Sequence, residues 1–126
     1  MNKARRDKTL AAKYQLVMVI EFLEDTLECI PKDNIFSEES YYLGLLEKIN
    51  YSQSMVEMIL GEEEESYENF PDSLKNSIKG MVMEEKIDLL SDALDQYQLL
   101  GKSKLKISQA IRLLTEITDL LEEVVE

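Results

Sequence analysis

Apolar residues recur along this chain at alternating spacings of four and three, and that rhythm constrains the fold more than any other feature. Leu16, Ile20, Leu23, Leu27 and Ile30 follow it in the first quarter, with Val17, Val19 and Phe22 widening the stripe. Met83, Ile87, Leu90, Leu94 and Tyr97 repeat it, and Ile107, Ile111, Leu114, Ile117, Leu121 and Val124 repeat it again with one shorter step. Residues three and four apart share one face of an α-helix, so each run predicts a rod with one water-avoiding side. Between the first and second of these runs, Tyr42, Leu46, Ile49, Val56 and Ile59 or Leu60 form a weaker stripe. Ser52 and Gln53 interrupt it where an apolar residue was due.

Breaks in the pattern set the boundaries. Pro31 ends the first helix, predicted over about 4–29, because the residue before proline disfavours the α region and the ring cannot continue the ladder. Residues 31–36 read as a short polar connection, and Ser37 as a cap with Glu38 and Glu39 in the following turn. Helix 2 ends at Gly61 or runs on through the glutamates towards Asn69; Pro71 closes it in either case. The stripes of helices 3 and 4 do not share a phase, which places a turn at 101–104 with Ser103 as a cap. Four such helices with short connections predict an all-α, antiparallel four-helix up-down bundle, one domain over residues 1–126. The fallback is a long helical hairpin or coiled coil with helix 4 extending helix 3, and failure to close within one chain would imply a homodimer.

Composition excludes several chemistries. There is no histidine, so no Ser–His or Cys–His pair and no histidine metal site. The single Cys29 forms no internal disulfide and no cysteine zinc site, which reads as a reduced, cytoplasmic setting. No apolar run approaches the ~18 residues of a spanning helix, so no membrane role is expected. The formal net charge is −12, but residues 1–13 hold Lys3, Arg5, Arg6, Lys8 and Lys13 against Asp7, leaving −16 on the remainder. Such a body repels phosphate backbones, so direct nucleic-acid binding is not expected. The basic start reads as a solvated first turn, and the five acids from Glu116 to Glu126 as the wet side of helix 4 with a fraying end.

The densest local pattern runs from Gly61 through Glu62, Glu63, Glu64, Glu65 and Glu68 to Asn69, Pro71, Asp72, Leu74, Ser77 and Gly80, then Met83 and Glu84. As turn chemistry, Asn69 ends helix 2, Pro71 enforces the exit, Leu74 plugs the bundle end, and Asp72 or Ser77 caps helix 3. Gly80 then lets helices 2 and 3 approach closely. Acidic pairs followed by Asn-x-Pro-Asp-x-Leu, Ser, Gly and Met-Glu at these offsets resemble a module of small acidic helical proteins from bacteria, phages and other mobile elements. The resemblance covers about residues 55–97 and supplies no activity; it implies a helical hairpin turning at Pro71 and a life on a mobile element.

Three functional readings follow. Glu62-x-x-Glu65 and Glu85-x-x-Asp88 have the spacing of the magnesium motif of MazG-like all-α nucleotide pyrophosphohydrolases, since carboxylates at i and i+3 share a face. Four consecutive glutamates satisfy half of that motif almost automatically, and a Lys/Arg and aromatic set for a nucleotide is lacking. The favoured reading is therefore non-catalytic, without cofactor or metal. It is an acidic module that binds a protein with a basic surface, as a phage or mobile-element inhibitor of a host or defence protein, by presenting carboxylates where phosphates would sit. The expected face is Glu62, Glu63, Glu64, Glu65 and Glu68 with Glu84, Glu85, Asp88, Asp92 and Asp95, from a stretch (57–95) carrying twelve acids and three lysines. A structural or assembly component is the third reading. Met55, Met58, Met81 and Met83 read as core filler, and Tyr41 and Tyr42 as the packed opening of helix 2.

Overall fold

The computed structural model describes residues 1–29, 35–36, 43–102 and 105–126. Four helices, α1 (Lys3–Cys29), α2 (Leu43–Glu68), α3 (Ile78–Lys102) and α4 (Ile107–Val125), pack as an antiparallel bundle. The main contacts run between α1 and α2, α2 and α3, α3 and α4, and α4 and α1, so α1 and α3 stand on one diagonal and α2 and α4 on the other. This is the predicted up-down bundle. The hairpin with α4 extending α3 is not formed.

The stripes meet as their spacing requires. Ala12, Leu16, Val19 and Leu23 of α1 face Ile49, Val56 and Ile59 of α2, Leu90, Ala93 and Tyr97 of α3, and Ile107, Leu114, Ile117, Leu121 and Val124 of α4 across one core. Phe22 lies off that stripe and is exposed rather than widening it, and Met58 and Met81 are exposed while Met83 is buried. Helix α1 starts at Asn2, whose Oδ1 accepts the Arg5 N–H at 2.9 Å as an N-cap. At the other extreme, Lys86 of α3 donates its ammonium to the Val124 carbonyl and, at 3.2 Å, to that of Glu126. A cation on the last carbonyls holds the acidic end of α4 that the sequence alone suggested would fray.

The polar gap in the α2 stripe has a physical use. Ser52 is fully buried, and its hydroxyl donates to the Ala12 carbonyl of α1 at 2.8 Å while accepting from the Tyr97 hydroxyl of α3 at 2.6 Å. Three helices are thereby pinned at one level, and both buried hydroxyls are satisfied. Burial raises the Tyr97 pKa, partly opposed by the Ser52 hydrogen bond. A phenol with a raised folded pKa contributes stability that is complete below its unfolded value of about 10 and is lost above it. The Ser52→Ala variant leaves the Tyr97 hydroxyl buried without an acceptor, at an expected cost of about 1–3 kcal/mol in urea denaturation. The same change in a Tyr97→Phe background is expected to cost less, and equal costs in both backgrounds would show that the bond does not couple the helices.

Both inter-helix connections at one end of the bundle were expected to be irregular. Instead Ile35–Phe36 (β1) pairs antiparallel with Leu105–Lys106 (β2), Ile35 opposite Lys106 and Phe36 opposite Leu105. Phe36 is buried in the core, so part of the stretch read as a polar connection closes the end of the bundle. Lys106, not Ser103, stands at the start of α4, with its N–H bonded to Gln109 Oε1 at 3.0 Å. Ser37, Tyr41, Tyr42 and Ser103 lie outside the described residues.

At the opposite end α2 runs through Gly61 to Glu68, and Asn69 and Phe70 close its last turn by hydrogen bonds to Glu65 and Tyr67. Pro71 then starts a short 3-10 turn over Asp72–Leu74. Ser77 caps α3 by accepting the Gly80 N–H, whereas Asp72 pairs with Lys75 at 3.0 Å. Two details correct the sequence reading. Leu74 does not plug the bundle; it is 47% exposed. Gly80 is required not by helix 2 but by the 3-10 turn folded back on it, because a Cβ there would lie 2.2 Å from the Lys75 carbonyl oxygen and 2.8 Å from that of Leu74. Gly80→Ala is therefore expected to destabilise the fold by about 1–3 kcal/mol, measured by thermal unfolding, while Gly61→Ala, in open space, is neutral or stabilising.

Candidate functional site

The acidic run in α2 divides between interior and solvent. Glu63 is 1% exposed, and its carboxylate accepts the Arg5 Nε–H at 2.6 Å. Glu62 sits beside it, 3.4 Å from Lys8. The basic start of α1 is thus only in part a solvated end: Lys3 and Arg6 are exposed, whereas two cations, Arg5 and Lys8, neutralise the first two glutamates of the run. A third, Lys13, reaches Glu122 of α4 at 3.5 Å. Glu64, Glu65 and Glu68 remain exposed.

On α3, Glu84, Glu85, Asp88, Asp92 and Asp95 are all exposed. Glu85, Asp88, Asp92 and Asp95 follow a 3,4,3 spacing on the side opposite the buried Met83, Leu90 and Tyr97, so they form one outward ladder. The same side begins with the exposed apolar residues Ile78, Met81 and Val82, Ile78 at 83% exposure, and continues past Asp95 to the exposed Leu99. Lys75 and Lys79 near its start lie over the rings of Tyr67 and Phe70.

Asp92 and Asp95 do not stand alone. With Gln96 they meet Glu116, Asp119, Leu120 and Glu123 of α4 around a shallow groove of about 410 Å³. The three α4 acids were read from sequence only as a wet helix side. Their 3,4 spacing matches that of the α3 acids, and antiparallel adjacency of α3 and α4 was the signal that joins the two sets. Among the described residues, none of these five carboxylates has an ion-pair partner. The site that forms is therefore an acidic groove between α3 and α4, which shares Asp92 and Asp95 with the expected face and adds Glu116, Asp119 and Glu123 of α4.

The structure does not bring Glu62, Glu65, Glu85 and Asp88 into one ligand set. Glu62 turns towards α1, whereas Glu85 and Asp88 project outward from α3, and among the described residues no group of three or more Asp, Glu or Cys is placed to hold a metal ion. No described helix is long and apolar enough to cross a membrane. Comparison of the chain with protein-family models, with curated proteins and with solved structures finds no match.

Removing the cation from the buried pair should be costly, since a desolvated carboxylate would be left without a counter-charge. Arg5→Met is expected to lower stability by about 3 kcal/mol in urea denaturation, and Lys8→Met, at a half-exposed pair, by less than about 1 kcal/mol. Equal effects would show that Glu63 is not shielded as described.

Proposed function

We propose that this protein is a non-catalytic binding module that docks its α3–α4 face on a basic surface of another protein. Its concrete form is a phage or mobile-element inhibitor that covers a nucleic-acid-handling groove of a host or defence protein. The observation that carries this reading is the convergence of Asp92, Asp95, Glu116, Asp119 and Glu123 on one groove, none of them with an ion-pair partner among the described residues. Like charges held side by side repel, so a partner's arginines and lysines would gain by neutralising them. The outward ladder of Glu85 and Asp88 extends the negative strip along α3, and Ile78, Met81 and Val82 at its start supply the apolar anchor that a charge-only surface lacks.

The test uses charge reversal at the groove. Wild type, Asp92→Lys/Asp119→Lys and Glu64→Lys/Glu65→Lys are immobilised and used to capture proteins from an extract of the native host. The expected partner is retained by wild type, released as salt shortens the Debye length below about 8 Å, and displaced by DNA. Reversal at the groove should abolish its capture, with a weaker effect from 64/65. A partner retained equally by all three proteins, or one indifferent to salt and DNA, would overturn the reading.

A further inference from the structure

Helix α1 carries five bases and five acids and hence no net charge, so the whole −12 of the chain sits on the rest of the sequence. Its charges are nevertheless strongly ordered. Every base lies between Lys3 and Lys13, and between Glu21 and Glu28 there are four acids and no base. That order opposes the helix's own dipole, which favours acids at the start and bases at the end. Ion pairs to α2 and α4 account for Arg5, Lys8 and Lys13; Lys3, Arg6 and Asp7 at the start, like the four acids at the end, are exposed and have no ion pair among the described residues, which leaves the start net positive and the end net negative. Between the two charged ends runs an exposed stripe at spacing four, Tyr14, Met18 and Phe22, with Tyr14 62% exposed and Met18 45%.

We infer that α1 is a self-association surface, on which two copies of this chain pair their α1 helices antiparallel about a two-fold axis at Met18. In that arrangement Met18 meets its own symmetry mate, Tyr14 of one copy faces Phe22 of the other, and the basic first turns of each helix lie along the acidic last turns of its mate. Charge complementarity selects both occupant and direction. A second copy supplies the matching order of charges by symmetry, a parallel pairing would place like ends together, and α1 is the one helix free of the net repulsion between two acidic bodies. Because α1 and α3 occupy one diagonal of the bundle, the pairing leaves the α3 ladder facing away on both copies. The inference does not rest on the binding role of the α3–α4 groove; if both hold, the dimer presents two such faces. One helix pair spanning about 30 Å is a small interface, so a dissociation constant on the order of 10–100 µM is expected.

Sedimentation equilibrium of the full chain from about 5 to about 500 µM, at about 50 mM salt, reads the association directly. A reversible dimer is expected, weakened at least ~5-fold by about 0.5 M salt as the end charges are screened. Met18→Asp should remain monomeric across the range with unchanged helical circular dichroism, which separates loss of pairing from loss of fold. Arg6→Glu and Glu28→Arg should each weaken the dimer, and an equimolar mixture of the two should restore it, because each altered residue then lies within one helical turn of its complement on the mate. A wild-type chain monomeric throughout, a dimer indifferent to Met18→Asp, or no restoration on mixing would overturn the inference.

Discussion

A chain with a net charge of −12 buries a carboxylate, and the arginine that makes this tolerable decides how the rest of its charge is displayed. Glu63 lies in the α1–α2 interface because the apolar positions of α2 carry it there, seven residues beyond Val56 and four beyond Ile59. Arg5 meets it at 2.6 Å, with its side chain itself only 17% exposed. Without that cation the desolvation of Glu63 would oppose the register of α2 along its whole length. With it, the start of α1 is fixed against the end of α2, Glu63 is removed from the surface that a partner could reach, and the half-exposed Glu62 is paired with Lys8.

The opposite choice is made between α3 and α4. There the acids of two neighbouring helices are brought together with no ion-pair partner among the described residues, and the balance of magnitudes explains why the bundle accepts it. Each fully buried Leu, Ile or Val on the inner faces of α3 and α4 contributes roughly 1.5–3 kcal/mol. Exposed like-charge pairs cost a few tenths each and are screened by salt. Leu90, Leu114, Ile117 and Leu121 therefore set the pairing, and Asp92, Asp95, Glu116, Asp119 and Glu123 accept the proximity that follows. An acidic groove is thus a consequence of apolar periodicity, and it is also what supports the reading of this face as a place for a basic partner.

The architecture was legible in the sequence because helical period and proline position are local signals. The stripes of α1, α3 and α4, the passage at Pro71 and the separation of α3 from α4 all follow from spacing alone. What was not legible depends on which helix stands beside which. Ser52 is a defect in its own helix's stripe and becomes a joint only beside two other helices, where it donates to the Ala12 carbonyl and accepts from the Tyr97 hydroxyl. The first glutamates of the 62–65 run looked equivalent to the rest until Arg5 and Lys8 separated them. Likewise Gly80 answers a backbone five residues away that turn chemistry at 71–77 creates, not a neighbouring helix. The two-residue ladder between Phe36 and Leu105 has too short a pattern to be recognised in advance.

Pairing within the molecule, not the density of acids in the sequence, decides which carboxylates remain exposed without a counter-charge among the described residues, and these are the ones the proposed docking would use. Titrating the isotopically labelled protein with a short oligolysine peptide, and following backbone amide shifts by NMR at low and high salt, tests this directly. The account predicts salt-sensitive shifts centred on Asp92, Asp95, Glu116, Asp119 and Glu123, with Glu62 and Glu63 unmoved. Shifts centred on residues 62–65, with the α3–α4 groove silent, would contradict it.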